Sequence, residues 1–368
     1  MDANEAVSRR MHGLGLWGGA SAGTPAEAVS RLAAMQGQEF AYALWGTAQR
    51  VRRAGGIRSV DARAMRAAFN AGELLRTHAV RPTWHLLARD DTDWMLRLLS
   101  ERVHAANAYM YRTTGVDDEV AHAGERAIAA AVAGGPRTRA ELTTALAAAG
   151  VTGDGVRIGY VLMRAELDRV IVSGPLRGRQ HTYADYDARV PVRDATDREH
   201  DLAELARRYF RTRGPASVKD FARWSGLTLA DARHGHAEVA SELVSDAVEH
   251  PELERVEVWF EAADAPGAPA RPRLDLVQGY DECVMSYSET QVLLFEGTDP
   301  RRSATPTLAA YLHTVLLDGR LAGHWKATPT RSEVRIDVQL DDPLDDAEAA
   351  ALEAAGTDYA DYLGLSLG

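Results

Sequence analysis

The chain has 368 residues, enough for more than one hydrophobic core, and 46% of them are hydrophobic. Its formal net charge is −11, although 40 of its 42 basic residues are arginine; the acidic total argues against indiscriminate nucleic-acid binding and leaves room for a local basic channel. A single cysteine, Cys283, rules out an internal disulfide, and the absence of a long apolar run or an apolar leader points to a soluble cytoplasmic protein with no membrane partner.

In chain order, Thr24, Pro25 and Glu27 form an N-cap, N1 proline and N3 glutamate, which opens a helix. Val29, Leu32, Ala33 and Gln36 keep helical spacing, and Gly37 supplies a stop. The run MQGQEF at 35–40 therefore puts Gln36 and Gln38 at a helix end. A second helix is expected over FAYALWGTAQRV and a third over about 60–70. The extended runs LLRTHAV (74–80) and TWHLLA (83–88) follow, with Arg81-Pro82 between them. Three helices and a two-stranded wing are the order of a winged helix. The pattern returns: Thr138 opens ELTTALAAAG, a helix runs from Gly155 to Asp168, and RVIVSG pairs with RQHTYADY. A third unit starts near 200, where SVKDFARWSG and LTLADARHG are two short helices joined at Gly226. From about 252 the chain is β-rich, in ERVEVWFEA, RLDLVQ, QVLLFEG, YLHTVLLDGRLAGHWKA and SEVRIDVQL. Asp318-Gly319 marks a hairpin turn, and a final helix is expected near 344–356. The segments expected are 1–125, 126–198, 199–250 and 251–368.

Several side chains invite a functional reading, each beside a plainer one. On spacing alone, the glutamine pair reads as caps or exposed polar residues at least as readily as a site. His78, Arg81, Trp84 and His85 fall within eight residues of one hairpin. They are either a packed wing with hydrogen-bonded histidines, or a surface with Arg81 on phosphate and Trp84 or His85 near a base. Arg50 and Arg53 belong to a basic cluster over 50–66. Arg177 and Arg179 sit at a hairpin tip, as groove probes or as solvated turn residues. Arg207, Arg208, Arg211 and Arg213 run round one helix, so some must face solvent. The histidines at 200, 234, 236 and 250 have no metal-site spacing, so neither metal nor cofactor is expected.

Three segments, MQGQEF with its following ALW helix, THAVRPTWHLL at 77–87 and RYFRTRGPASVKDFARWSGL at 208–227, resemble the AlkZ-like family of winged-helix DNA glycosylases. QGYDE (278–282) and LLDGRLAGHWK (316–326) resemble the family's barrel segments. The resemblance implies an α+β fold of three tandem winged helices in a C shape around DNA, with a C-terminal β-barrel. It implies a monomer acting on double-stranded DNA that carries bulky N7-alkylated guanine, interstrand crosslinks included, for repair or for self-resistance to a genotoxic natural product. It also implies catalysis by a glutamine-x-glutamine motif, which Gln36 and Gln38 match; Gly37 stands where the family has an aliphatic residue. A non-catalytic winged-helix regulator is the competing reading.

Glutamines suit such chemistry. N7-alkylation makes the base a cationic leaving group, and base loss passes through a sugar oxocarbenium ion. The needs are carbonyl oxygens near that charge and a held water, and a glutamine amide meets both. Residues two apart leave a helix on different faces, so Gln36 and Gln38 are expected to converge by the helix ending at Gly37. The two lysines, Lys219 and Lys326, lie far along the chain, which favours water over an amine nucleophile.

Overall fold

The computed structural model describes residues 1–17, 22–52, 60–191, 196–251, 253–262, 271–295 and 313–368. It is a mixed α/β architecture of three helix groups, each with a small antiparallel sheet, and a C-terminal sheet. After α1 (Ala3–Gly13), the first group comprises α2 (Pro25–Arg31), β1 (Met35–Gln36), α3 (Phe40–Ala48), α4 (Ala62–Ala71), β2 (Leu74–His78) and β3 (Trp84–Ala88), with strand order β1-β3-β2. The Thr24 side chain caps α2 by accepting from the Glu27 N–H, as expected. The helix then ends at Arg31, six residues before the predicted stop at Gly37. Ala33 takes a left-handed conformation (φ 59°), and the reversed chain extends through Met35 and Gln36 to pair with β3. Gly37 therefore does not end a helix, and the glutamine motif lies on a strand edge.

The long helix α5 (Thr92–Thr114) leads to a second group: α6 (Asp118–Val132), β4 (Arg137–Thr138), α7 (Arg139–Ala148), α8 (Gly155–Leu167), β5 (Ile171–Ser173) and β6 (Thr182–Asp185), in strand order β4-β6-β5. Thr138 and Glu141 close a reciprocal capping box at α7. A short α9 (Tyr186–Arg189) precedes the third group of α10 (Arg198–Arg213), α11 (Val218–Ser225), α12 (Leu229–Val239), β7 (Leu243–His250) and β8 (Leu253–Glu261). Ser217 and Asp220 box the start of α11, and left-handed Gly226 (φ 72°) ends it, as the sequence predicts.

The remainder is β9 (Leu274–Val277), α13 (Glu282–Met285), β10 (His313–Leu317), β11 (Arg320–Pro329), β12 (Glu333–Leu340), α14 (Asp346–Leu363) and β13 (Ser366–Leu367). The strands form one five-stranded sheet in the order β13-β12-β11-β10-β9. Instead of a closed barrel, the described residues make a curled half-barrel. The described part of QVLLFEG, 291–295, supplies no strand; Gln291–Leu294 is a 3₁₀ turn that buries Leu293 and Leu294. The Asp318-Gly319 turn forms as predicted, with both residues left-handed (φ 51° and 82°).

The cores do not follow chain order. The C-terminal sheet and α14 share one hydrophobic cluster with α1 and the first group. Two indole N–H groups tie it together, Trp45 donating to the Leu276 carbonyl (2.7 Å) and Trp325 to that of Val277 (2.8 Å). A second cluster joins β2 and β3 to α5, α10 and α11, and a third joins the C-terminal end of α5 to α6–α8 and β5.

Arg50 belongs to this interior. It is 2% exposed, forms a bidentate pair with Asp281 (2.7 and 3.1 Å) and donates to the carbonyls of Leu14 and Gly46. The expected phosphate contact at Arg50 is thereby corrected: its donors are spent inside the fold. Arg53 lies outside the described residues. Replacing Arg50 leaves a buried carboxylate unpaired. Arg50→Met is expected to cost about 3–5 kcal/mol in urea unfolding, and Arg50→Met/Asp281→Leu to recover most of it; a cost under about 1 kcal/mol would show the pair to be dispensable.

Candidate active site

The sheet of the first group sets the position of the glutamine motif. Gln36 is registered opposite His85, and His85 opposite Thr77 on the far strand. The Gly37 N–H extends the ladder, donating to the Trp84 carbonyl at 2.7 Å. A Cβ at residue 37 would lie 3.3 Å from the backbone of His85 and Leu86, so glycine lets the motif lie flat against β3. An alanine would push the strands apart by a few tenths of an ångström.

The two glutamines meet different surroundings. Gln36 is 2% exposed. Its N–H donates to Glu282 Oε1 (2.9 Å), its carbonyl accepts from Gln278 Nε2 (3.4 Å), and its side-chain Oε1 accepts from Arg81 Nη2 (2.9 Å). Glu282 is itself a buried junction: its Oε2 accepts from Arg213 Nη2 (2.7 Å), Trp224 Nε1 (2.8 Å) and Ser286 Oγ (3.1 Å). Burial works against its charge, but the Arg213 and Arg81 guanidiniums and the Gln36 N–H hold its carboxyl below the usual range.

Gln38 instead faces a cleft of about 240 Å³ between the β2–β3 hairpin and α8. Its main-chain carbonyl accepts from Arg76 Nη2 (3.3 Å), while its side-chain Oε1 is buried with no hydrogen-bond partner among the described residues. His78, Trp84, Tyr160, Glu166 and Tyr183 line the same cleft. His78 Nδ1 makes a short hydrogen bond to Glu166, and both residues are buried. Trp84 stacks obliquely on His78 (centroids 4.7 Å apart) and is covered by the Arg76 guanidinium at 4.1 Å. Arg76 also donates to the Gly37 carbonyl (2.8 Å), and burial lowers its pKa to about 10, which leaves it charged at neutral pH.

The hairpin residues thus divide. His78 and Trp84 line the cleft. Arg81 is not extended toward phosphate: it is turned inward to Gln36 and the Trp224 carbonyl (3.1 Å), and burial lowers its pKa. His85 cannot touch DNA, being fully buried with Nδ1–H donating to the Thr83 carbonyl (2.9 Å). On the β5–β6 hairpin, Arg177 pairs with Glu141 (2.8 Å) and donates to the Pro136 carbonyl, whereas Arg179 is exposed. The α10 arginines are consumed as well: Arg207 and Arg211 pair with Glu242, Arg208 with Asp91 and Glu204, and Arg213 with Glu282.

Sequence reading passed over Glu166, Arg76 and Glu282. Glu166 carried a faint signal as a carboxylate on the apolar face of α8, between Met163 and Leu167. Glu282 lay inside QGYDE, yet its partners are 69 and 246 residues away and nothing local announces them. Among the described residues no group of three or more histidine, cysteine or carboxylate side chains is placed to hold a metal ion.

The family described as DNA glycosylase AlkZ-like matches residues 29–362. Among solved structures, the Streptomyces sahachiroi DNA glycosylase AlkZ is similar over 100% of this chain and 99% of its own, with a TM-score of 0.77 and 19% identity. No curated protein matches the sequence.

The buried His85 makes stability depend on pH. Burial, and then Arg81, lowers its pKa to about 3. The folded state holds the ring neutral, while the unfolded chain protonates it below about pH 6.5. Stability is therefore full above that value and falls as the pH drops from about 6.5 toward 3. Between pH 7.5 and 5 the wild type is expected to lose about 2 kcal/mol more than His85→Gln. Urea unfolding of both proteins at the two pH values measures this; equal losses would show that His85 does not report its burial this way.

Proposed function

The chain belongs to the AlkZ-like DNA glycosylase family, and on that premise we propose that it hydrolyses the N-glycosidic bond of N7-alkylated guanine, bulky adducts and interstrand crosslinks among them, at the cleft of Gln38. One observation carries the reading. The amide oxygen of Gln38 is buried with no protein partner among the described residues, and Gln38 itself lines the cleft. Unpaired buried acceptors cost stability, and a positioned water or a developing sugar cation would satisfy this one. Gln36 then plays a different part from Gln38: its bonds to Arg81, Glu282 and Gln278 hold the strand from which Gln38 projects.

The size of the cleft supports the bulky-lesion reading. At about 240 Å³ it falls below the ~300–1,000 Å³ of pockets that enclose a ligand. It can take a sugar edge and a water but not a flipped, adducted base, so the adduct would remain outside. In this reading the three helix groups act as winged helices in a C-shaped arrangement of a monomer round duplex DNA. The segments 1–125, 126–198, 199–250 and 251–368 serve as three DNA-facing units and a β-rich support, in a cytoplasmic repair or self-resistance role. Among the described arginines expected to touch DNA, exposed Arg179 would make such a contact, and Arg66, exposed on α4, is a second candidate.

Neither lysine is near the cleft: Lys219 pairs with Glu289, and Lys326 is exposed on β11. Water is therefore the nucleophile, and the product is an abasic site. Gln38→Ala is expected to lower single-turnover release of N7-alkylguanine from duplex DNA by about 100-fold, with the melting temperature unchanged, as for loss of one oxyanion-type ligand. Gln36→Ala is expected to lower the melting temperature as well as the rate. Unchanged release in Gln38→Ala would sink the assignment, and sequence-specific binding without base release by the wild type would favour a regulator.

A further inference from the structure

We propose that His78 and Glu166 form a catalytic dyad, in which His78 takes the proton of the attacking water and Glu166 positions and charges the imidazole; this rests on the glycosylase reading above. Glu166 accepts from Nδ1–H, which fixes the tautomer and leaves a lone pair on Nε2. Nε2 has no protein partner among the described residues and is not among the sealed, unpartnered atoms of the interior. Since His78 lines the cleft, Nε2 opens onto it. An imidazole bonded to a buried carboxylate at one nitrogen and open at the other is the arrangement of a general base with its orienting group.

The neighbours fit this role. Trp84 stacks on the ring from β3, and Arg76 on β2 clamps Trp84, so the imidazole cannot swing. Gln38 lines the same cleft, and its buried side-chain oxygen has no partner among the described residues, so a small shift of the amide would offer an acceptor for the second hydrogen of the water. The charged and titratable groups around His78 are Glu166 and Tyr160 from α8, Arg76 from β2, His85 from β3, Arg139 from α7 and Tyr183 from β6. His85 is held neutral, so Glu166 is the carboxylate among them that can balance a protonated His78.

The step balances. The water oxygen forms a bond to the sugar C1′ while one water proton passes to His78 Nε2. The C1′–N9 bond breaks, and its electron pair goes to N9 of the guanine, cancelling the positive charge of the alkylated ring. The imidazolium so formed is paired with the Glu166 carboxylate.

The test is single-turnover base release from duplex DNA carrying N7-methylguanine, and from the same duplex carrying a nitrogen-mustard adduct at N7, between pH 5 and 8. In the wild type the rate is expected to fall toward acid. His78→Gln should release base about 100-fold more slowly, without that acid limb, and with unchanged DNA affinity and melting temperature. Glu166→Gln should keep a limb displaced to lower pH, because the imidazolium has lost its carboxylate. A His78→Gln rate within threefold of the wild type, or a retained acid limb, overturns the dyad while leaving the glycosylase reading intact. If His78→Gln melts early, Glu166→Gln decides: an undisplaced limb overturns the dyad. No release by the wild type from either substrate overturns both proposals.

Discussion

The structure depends on one buried carboxylate. Glu282 accepts hydrogen bonds from Arg213 on α10, Trp224 on α11 and the backbone N–H of Gln36 on β1. A fully desolvated carboxylate is tolerated only when its lone pairs are filled and an opposite charge is near. Here the partners that fill them come from three distant parts of the chain. The fold of the C-terminal region, the packing of the third helix group and the position of the glutamine strand are consequently one energetic problem. Asp220 works in parallel, accepting from the backbone N–H groups of Ser288, Glu289 and Thr290, and so ties α11 to the stretch just after Glu282. Such pairs contribute little net stability compared with apolar replacements. What they supply is geometry: the register of β1 cannot slip without stranding Glu282.

That constraint explains which surfaces are left for chemistry. Arg81 and His85 belong to the same conspicuous sequence segment as His78 and Trp84, yet they face the Glu282 side of the sheet and are absorbed there. Strand alternation does part of this sorting: residues 78 and 84 are registered opposite one another, and both line the cleft. The cleft side keeps a histidine, a carboxylate, an aromatic clamp and one unpaired amide oxygen. The buried side keeps Arg81 and Arg213, while Arg76 and Arg139 stay on the cleft side.

Local structure was legible in the sequence wherever a local signal existed. The caps at Thr24 and Thr138, the stop at Gly226 and the Asp318-Gly319 turn all formed, because each is decided within four residues. The end of α2 was misread because Leu32, Ala33 and Gln36 do keep helical spacing; the left-handed Ala33 and the pairing of β1 with β3 override it, and that pairing is set by a strand 50 residues away. QVLLFEG was misread as a strand because a short apolar run carries no period of its own. In the site, Gln38, His78 and Trp84 were visible as residue types in a suggestive segment. Arg50 and Arg81 look in the sequence like any basic residue, and only the carboxylates and carbonyls brought to them by tertiary folding reveal that they are structural.

The same point settles the odd charge balance. With a net charge of −11, the chain cannot rely on a diffuse positive surface to hold DNA. Part of its arginine excess is spent inside the fold or in ion pairs: Arg10, Arg50 and Arg213 are 3% exposed or less, and Arg207, Arg208 and Arg211 sit in ion pairs. Arginine suits this use because its planar fork can satisfy several carbonyls and a carboxylate together, as Arg213 does with the Leu32 and Ala34 carbonyls and Glu282. Other arginines, such as Arg179 at the β5–β6 hairpin tip and Arg66 on α4, are exposed, so any positive surface is made of separate local cations against an acidic whole.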